Sequence, residues 1–485
     1  MTEVERLAAF VVQATFDDLS SEARRELKIR VLDSLGCAIG ALGAPPIAML
    51  RAQIGEFGGH PLATMIGGAK TAPDRAAFYN AALVRYLDYN DSFLAPGETC
   101  HPSDSLGAVL AVCEYVGGSG ADLLTALAVA YQVQCRLSEA APVRARGFDH
   151  TTQGAYAVAA GVAKGLDLDQ TRAANAIAIA GTAYNALRVT RTGRLSHWKG
   201  LASPNSVYGA TQAAFLARQG ITGPLEVFEG NKGFKEAIAG PFTIEWERED
   251  LEIVRRTILK RYNAEIHSQS ALEAILELRQ AHHIQAAEIQ RIELETFDVA
   301  YNIIGGGEEG DKDLVHTKEE ADHSLPYLLA VALLDGDIGP AQFRPERIVR
   351  EDVQALLRRV TVRPDPDSSR RFPQEMPCRL AIQLTDGQVW RREQMDYEGF
   401  VTRPMRWEIA AAKFERLAAP YADRGTRQAL IEAVAALDTI AVRDLTAILG
   451  SLEEQALEAA GEPFNATYAH EKRGQEDQER KDGGE

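Results

Sequence analysis

Helical periodicity built from small residues runs through the first 220 residues and constrains the fold more than any other feature. Segments such as AYAVAAGVAKGL and ANAIAIAGTAYNAL carry apolar residues at helical spacing, with alanine or glycine on nearly every turn. Small side chains let helix axes approach closely, so these segments predict a compact helical bundle. A first helix is predicted after Ser20-Ser21-Glu22, and further helices near residues 74–87, 104–117, 121–138, 151–165, 168–182 and 204–218.

Alternation of apolar and polar residues, which is typical of strands, replaces this pattern after about residue 285. The alternating positions are Ile292, Leu294 and Thr296, then Val360 and Val362, then Leu380, Ile382 and Leu384. The last set runs into Asp386-Gly387 with Val389 beyond, which predicts a β-hairpin. A helical stretch from His323 to about Leu334 lies between these predicted strands.

The helical pattern returns from Pro404 onward, in RWEIAAAKFERL and RQALIEAVAAL. We therefore predict a mainly α fold, in which a smaller α+β domain is inserted into a large all-helical domain. The predicted bounds are 1–267 and 403–462 for the helical domain and 268–402 for the α+β domain. Residues 463–485 are charged and lack apolar anchors, so we expect a disordered tail.

The charge and cysteine content exclude several classes of partner and cofactor. A formal net charge of −17 disfavours nucleic acid or an anionic membrane as a partner. The sequence shows neither a signal peptide nor a long apolar span. The five cysteines are sparse and form no CxxC pair, which indicates a reduced, cytoplasmic protein without an iron–sulfur cluster. A small anionic substrate would need a local cluster of cationic side chains.

The loop between two predicted helices at residues 86–107, YLDYNDSFLAPGETCHPSDSLG, concentrates groups that exchange protons or bind carboxylates. These groups are Asp88, Asp91, Ser92, His101, Ser103 and Asp104. Aspartate and histidine in a loop on a helical scaffold are candidates for general acid–base catalysis. For Ser103 and Asp104 we favour the simpler interpretation that they cap the next helix.

Four further polar segments interrupt the apolar pattern. His150 precedes a small-residue helix, where it could bind a carboxylate, move a proton or be a hydrogen-bonded loop histidine. Lys199 could pair with a substrate carboxylate or lie on the surface. His267 lies at the predicted domain junction, where ligands commonly bind, but it could equally be part of a helix cap. Asp322 and Ser324 are interpreted as capping residues.

Metal and nucleotide motifs are lacking. There is no HExxH sequence, and the adjacent His282 and His283 are expected to be exposed. Gly305 to Gly307 lie outside any strand–loop–helix phosphate motif, so we interpret them as a loop. A tight metal site could form only by assembly of residues far apart in the sequence, and we do not expect one.

Taken together, YLDYNDSFL, HPSDSLG, GFDHTT, KGLASPNSVYGA, AEIHSQSALEA and ADHSLPYLLAVALLDG resemble the 2-methylcitrate dehydratase (MmgE/PrpD) family in order and spacing. The resemblance extends to about residue 450. It implies a helical domain with an inserted α+β domain, a homodimer and an interdomain active site without cofactor. It also implies lyase chemistry in propionate catabolism, although family members include cis-aconitate decarboxylase and an iminodisuccinate epimerase.

The same resemblance carries roles to individual residues. Asp88, His101, His150, Lys199 and His267 match positions that line the family's active site. Ser92 replaces a threonine that related members often have, which keeps the hydroxyl group. The stretch 95–100, Ala-Pro-Gly-Glu-Thr-Cys, departs from the usual dehydratase sequence, so the resemblance leaves the substrate open.

We predict dehydration of 2-methylcitrate, or of a related tricarboxylate such as citrate, by metal-free acid–base catalysis. His267 or His101 is expected to serve as base or acid, and Asp88 to orient the reacting group. Lys199 and His150, with Arg188, are expected to hold carboxylates, and Asp91 and Ser92 to support binding. The alternatives are a decarboxylase or epimerase of the same family, and a non-catalytic helical scaffold.

Overall fold

A computed structural model of the protein describes residues 1–452. The predicted disordered tail, 463–485, lies outside the described residues, as do residues 453–462 of the second helical part. The predicted fold class is confirmed: a large helical domain carries a smaller α+β domain.

The helices of the large domain lie where the periodicity predicts them, with some ends shifted. Ser20 caps the second helix through its side chain, which accepts a hydrogen bond from the backbone N–H of Ala23. The helix predicted from residue 204 begins earlier, at Trp198, and Pro204 lies inside it. In chain order the helices are α1 Glu3–Gln13, α2 Ser21–Gly40, α3 Pro45–Phe57, α4 Pro73–Tyr86, α5 Leu106–Val116, α6 Gly120–Ala140, α7 Thr151–Gly165, α8 Gln170–Ala183 and α9 Trp198–Arg218.

Small residues set the spacing of these helices. A Cβ atom added to Gly161 of α7 would lie 2.9 Å from the Cβ of Ala130 and 3.0 Å from the carbonyl oxygen of Ala126, both on α6. A Cβ atom on Gly107 of α5 would lie 2.5 Å from the backbone nitrogen of Ala81 on α4. Any larger residue at these two glycines would push the helices apart.

Two short hairpins, which the sequence did not predict, interrupt the helical domain. They are β1 Ala63–Thr64 with β2 Lys70–Thr71, and β3 Phe93–Ala95 with β4 Glu98–Cys100. The second hairpin turns at Pro96-Gly97, where Gly97 has a φ of 79° that glycine adopts without strain. It lies within the polar loop 86–107 and positions His101 directly after its second strand.

The smaller domain contains the predicted strands and hairpin. Its four-stranded sheet has the order β6-β5-β7-β8, with β5 parallel to β6 and the other pairs antiparallel. Ile292, Leu294 and Thr296 are buried on one face of β5, as their alternation predicts. The elements are α10 Gln269–His282, β5 Ile289–Thr296, α11 Asp298–Ile304, α12 Lys318–Ala321, α13 Leu325–Asp335, α14 Pro345–Ile348, α15 Glu351–Leu357, β6 Val360–Pro364, α16 Pro366–Arg371, β7 Cys378–Leu384 and β8 Val389–Gln394.

The chain then returns to the helical domain through α17 Trp407–Ala418, α18 Arg424–Ala435 and α19 Val442–Gly450. Phe414 of α17 packs against Gly36 of α2. The buried Lys413 ammonium lies 2.7 Å from Oδ1 of Asp33 on α2, and it donates to the backbone oxygens of Tyr89 and Lys260. These contacts tie the returning helix to the segments that build the cleft described below.

Within residues 1–452, no single helix has both the length and the apolar character needed to cross a membrane. Helices α2 and α3 pass that test only when they are taken together, and the pair is bent by 86°.

Candidate active site

A narrow cleft at the junction of the two domains brings together five of the eight side chains that the sequence singled out. Asp88, His101, His150, Arg188 and His267 all line it. The remaining three lie behind this lining. Lys199 contacts Asp88 from behind, whereas Asp91 and Ser92 hold His101 in place.

Asp88 lies just beyond the C-terminal end of α4 and is surrounded by cations. Its φ of 53° is a left-handed conformation that aspartate tolerates better than most residues. Its Oδ1 atom lies 2.6 Å from both the Arg85 guanidinium and the Lys260 ammonium, and its Oδ2 atom lies 3.4 Å from the Lys199 ammonium. Burial opposes ionisation of this carboxyl, but the surrounding cations hold the pKa of Asp88 well below its usual value. Asp88 is therefore a permanent anion.

Lys199, Asp322 and His323 form a second buried cluster behind Asp88. The Lys199 ammonium lies 2.6 Å from Oδ1 of Asp322 and 2.9 Å from Nδ1 of His323. Burial lowers the pKa of Lys199, while the anionic neighbours act in the opposite direction. The capping interpretation is confirmed for Ser324, whose side chain accepts from the backbone N–H of Tyr327. It is wrong for Asp322, whose carboxylate binds Lys199 and Lys318.

This second cluster is also where the described residues could hold a metal ion, since ligand atoms of Asp88, Asp322 and His323 lie within 4.8 Å of one another. The Lys199 ammonium contacts all three residues. It therefore occupies the position that a cation would take between them. The donor set fits a bound ammonium group, and a divalent ion would have to displace it.

His101 is held in one orientation by the loop that precedes it. Its Nδ1 atom lies 2.7 Å from the backbone oxygen of Asp91 and 3.1 Å from Oγ of Ser92. Because a carbonyl oxygen only accepts, Nδ1 carries the proton and Nε2 keeps its lone pair. Burial, together with the cations Arg85 and Lys260, keeps the pKa of His101 well below its usual value. His101 is therefore neutral and can accept a proton.

Asp91 supports this arrangement from the core. Its Oδ1 accepts from the backbone N–H of Ser103, and its Oδ2 accepts from the hydroxyl of Tyr131 at 2.7 Å. The capping interpretation of Ser103 and Asp104 is wrong, because neither side chain caps α5. Ser103 and Asp104 instead accept hydrogen bonds from the Asn90 amide.

His267 is paired with Glu265 two residues earlier. The Nδ1 atom of His267 lies 2.7 Å from Oε1 of Glu265, and the backbone N–H of His267 donates to Oε2. Burial opposes the ionisation of Glu265, but the neighbouring His267 lowers its pKa to about 2. Since the carboxylate only accepts, Nδ1 of His267 is protonated. The Nε2 atom is buried and has no partner among the described residues.

His150 lies beside His101, with ring centroids 5.2 Å apart and an interplanar angle of 72°. Its Nδ1 atom lies 3.3 Å from Oδ1 of Asp149, whose other oxygen pairs with Arg191 at 2.7 Å. Burial outweighs the effect of Asp149 and lowers the pKa of His150 to about 3. His150 is thus a neutral, fixed imidazole, and its Nε2 atom has no partner among residues 1–452.

Several lining residues were missed by the sequence interpretation. They are Arg85, Glu98, Arg144, Arg191, Lys260, Glu265, Glu309 and His323. Lys260 and Glu265 did carry a signal, because Glu265 belongs to the AEIHS motif itself and Lys260 follows the apolar pair Ile258-Leu259 shortly before that motif. Arg85 comes from the last turn of α4, and Arg144, Arg188, Arg191 and Glu309 come from connecting segments. Their convergence depends on the tertiary fold, so no local pattern marks them.

A larger open groove lies elsewhere on the surface, lined by residues of 22–30, 132–136 and 249–257. Its charged side chains already pair with one another. Arg30 binds Glu26, and Arg136 binds Glu249 at 2.9 Å. Because the junction cleft holds the histidines and their unpartnered ring nitrogens, we assign the candidate active site there.

Comparison with known protein families places the chain in one class of enzyme, and the fold and the cleft agree with it. The model of the MmgE/PrpD N-terminal domain matches residues 5–247, and that of the MmgE/PrpD C-terminal domain matches residues 262–439. The chain belongs to the MmgE/PrpD family.

Named relatives span most of the chain. It is 26% identical to a 2-methylcitrate dehydratase of Salmonella typhi over 393 residues, which cover 76% of this chain and 80% of the relative. It is 28% identical to an alkylcitrate dehydratase of a fungal species over 436 residues, which cover 81% of this chain and 83% of the relative. It is 26% identical to the cis-aconitate decarboxylase of Mus musculus, with 90% and 91% covered.

Proposed function

We propose that this enzyme is a hydro-lyase that dehydrates 2-methylcitrate, or a related tricarboxylate such as citrate, to a cis-aconitate-type product. The family and its dehydratase relatives support the lyase class. The observation that carries the proposal is the contrast between two histidines of one cleft. Nδ1 of His101 donates to a backbone oxygen, which leaves its Nε2 atom as a proton acceptor, whereas Nδ1 of His267 donates to the carboxylate of Glu265.

Dehydration needs both functions at once. His101 would remove the proton from the carbon next to a carboxylate, and the C–H electron pair would become the new double bond. The hydroxyl group on the adjacent carbon would leave as water, taking a proton from Nε2 of His267. Glu265 would hold the imidazolium in place before this transfer. Proton exchange with solvent would then restore both histidines.

The negative charge that develops on the substrate needs cationic neighbours. Arg188 lines the cleft and is proposed to bind a carboxylate, and His150, which also lines the cleft, is proposed to help hold it. Pairing of Lys199 with a substrate carboxylate remains a prediction. In the structure its ammonium is bonded to Asp322 and His323, an arrangement that suits the fixing of Asp88 as an orienting anion.

We propose that this chemistry uses no metal ion and no organic cofactor. The support is the Lys199 ammonium, which fills the space between the three possible ligands Asp88, Asp322 and His323. A homodimer, a cytoplasmic location, a role in propionate catabolism and the domain bounds at residues 267 and 402 also remain proposals.

Decarboxylation of cis-aconitate is the second candidate. It is favoured by the similarity to the murine cis-aconitate decarboxylase, which is 26% identical over 467 residues that cover 90% of this chain. Incubation of the purified full chain with citrate, 2-methylcitrate and cis-aconitate, in the presence of a chelator, separates the candidates. An unsaturated tricarboxylate formed from 2-methylcitrate supports the dehydratase. Release of carbon dioxide from cis-aconitate, without dehydration of either citrate, would instead identify a decarboxylase. No turnover of any of the three acids would favour a non-catalytic helical scaffold.

A further inference from the structure

One acidic side chain of the protein reaches into the cleft and binds two of its arginines. Oε1 of Glu309 accepts from Arg188 at 2.5 Å and from Arg144 at 2.9 Å. The three residues come from separate loops that follow α11, α8 and α6, respectively. All three line the same cleft as His101 and His150.

The contact is deeply buried yet incompletely satisfied. The side chain of Glu309 is only 6% exposed, and its second oxygen, Oε2, has no hydrogen-bond partner among the described residues. A carboxylate between two guanidinium groups can use both oxygens in parallel bonds, but here a single oxygen accepts from both arginines. Glu309 therefore leaves hydrogen-bonding capacity of the arginine pair unused.

The arginines of this cluster also repel one another. Arg144, Arg188 and Arg191 face the carboxyl groups of Glu309, Asp149 and Glu98, and Arg188 lies 3.6 Å from Oδ2 of Asp149. Burial, and then the repulsion of Arg188, lower the pKa of Arg144. A second carboxylate would relieve this repulsion and supply the missing acceptors.

Glu309 sits on a segment that can change conformation at low cost. Gly306 and Gly310 have φ values of 98° and 93°, and a Cβ atom added to either would meet nothing within 4 Å. Glycine visits many backbone conformations, so the chain can turn at Gly306 and Gly310, which flank Glu309, whereas Gly305 and Gly307 are packed against Tyr301 and Asn302. The Glu309 side chain is therefore able to leave the arginines.

We propose that Arg144 and Arg188 form a binding subsite for one carboxylate of the substrate, and that Glu309 is its internal occupant, displaced when substrate binds. This inference rests on the proposed function, because it assumes that the substrate bound in the cleft is a tricarboxylate. A glutamate side chain ends in the same group as each arm of such a substrate. Apparent affinity then reflects the fraction of protein in which Glu309 has left the subsite.

Calorimetric titration with propane-1,2,3-tricarboxylate tests this directly, because that acid has no hydroxyl group to eliminate. Glu309→Gln is expected to tighten binding about tenfold, since the internal competitor is weakened. Glu308→Gln removes the same charge from an exposed neighbour on the same loop and should change affinity less than about twofold. Arg144→Gln is expected to weaken binding about 10- to 100-fold.

Glu309→Asp separates displacement from a simple charge effect. It keeps the charge but shortens the reach, so the proposal expects tighter binding, whereas a through-space effect expects no change. Equal or weaker binding by both Glu309 variants, each folded by circular dichroism, would overturn the inference. The proposed function is read separately, from wild-type turnover of 2-methylcitrate. Normal turnover with unchanged binding by the variants would reject the inference alone.

Discussion

Nδ1 of His267 lies 2.7 Å from Oε1 of Glu265, and the carboxylate's other oxygen accepts from the backbone N–H of the same histidine. This double contact fixes the ring, which also packs against Phe297 and Phe372. Its Nε2 atom has no hydrogen-bond partner among residues 1–452 and can therefore bond to a substrate. The pair has the form of a carboxylate-oriented proton donor.

Replacement of Glu265 by glutamine should show whether this carboxylate acts on the His267 ring or on substrate binding. The amide cannot stabilise an imidazolium as a carboxylate does, so we expect kcat to fall about 10- to 100-fold with little change in KM. Steady-state kinetics on 2-methylcitrate measures both constants. Glu288→Gln, at an exposed position near the sheet, is the matched control and should behave like the wild-type protein. A wild-type kcat in the Glu265 variant would contradict the assigned pairing.

His150 should make the folded state sensitive to acid. Its pKa is about 3 in the folded protein, against an ordinary value of 6.5, so the unfolded chain binds one more proton between these two pH values. Stability from this group is therefore complete above pH 6.5 and is lost as the pH falls toward 3.

His150→Gln should remove that loss. In denaturant unfolding between about pH 4 and 6, its free energy of unfolding should depend less steeply on pH than that of the wild type, by about 1.4 kcal/mol per pH unit. His283→Gln, at an exposed histidine, serves as the control. Parallel pH dependences for wild type and His150→Gln would show that His150 is protonated alike in both states.

Asp88 and Lys260 are predicted to be coupled in stability. Loss of the carboxylate in Asp88→Asn leaves Lys260, Arg85 and Lys199 buried near one another, so we expect destabilisation of about 3–5 kcal/mol. Lys260→Met in the same background should restore part of this loss. A double-mutant cycle by urea unfolding measures the coupling, and strictly additive effects would argue against the contact.

The position of Lys199 leads us to expect that activity does not depend on a metal ion. Because its ammonium already joins Asp88, Asp322 and His323, turnover should change less than about twofold after dialysis against a chelator or on addition of a divalent ion. Metal content measured alongside activity gives the control. Activity lost on chelation and restored by one particular ion would overturn the metal-free proposal.

Much of the fold could be predicted from local patterns. The alternation at Ile292 to Thr296, the Asp386-Gly387 turn and the small-residue helices each appear in the structure where their periodicity indicated. The short hairpin at 93–100 was missed, because Pro96-Gly97 marks a turn but its three-residue strands are too short to show alternation.

The site was only partly predictable, because its electrostatics arise from residues far apart in sequence. His101 and His267 could be recognised within their motifs. The orientation of their rings depends on Asp91 and Glu265, and the lowered pKa of His101 depends on burial and on nearby cations; only the fold brings these together. Asp104 was interpreted as a cap, yet burial raises its pKa to about 6 within the network around Arg85.

The most direct test of the account is the rate at which His101→Gln and His267→Gln dehydrate 2-methylcitrate. With both variants shown to be folded by circular dichroism and thermal unfolding, the account predicts that kcat falls about 10²- to 10⁴-fold in each. The double variant should be no more than modestly slower than either single one, because the two groups act in one step. Near-normal turnover by both folded single variants would contradict the proposed acid–base mechanism.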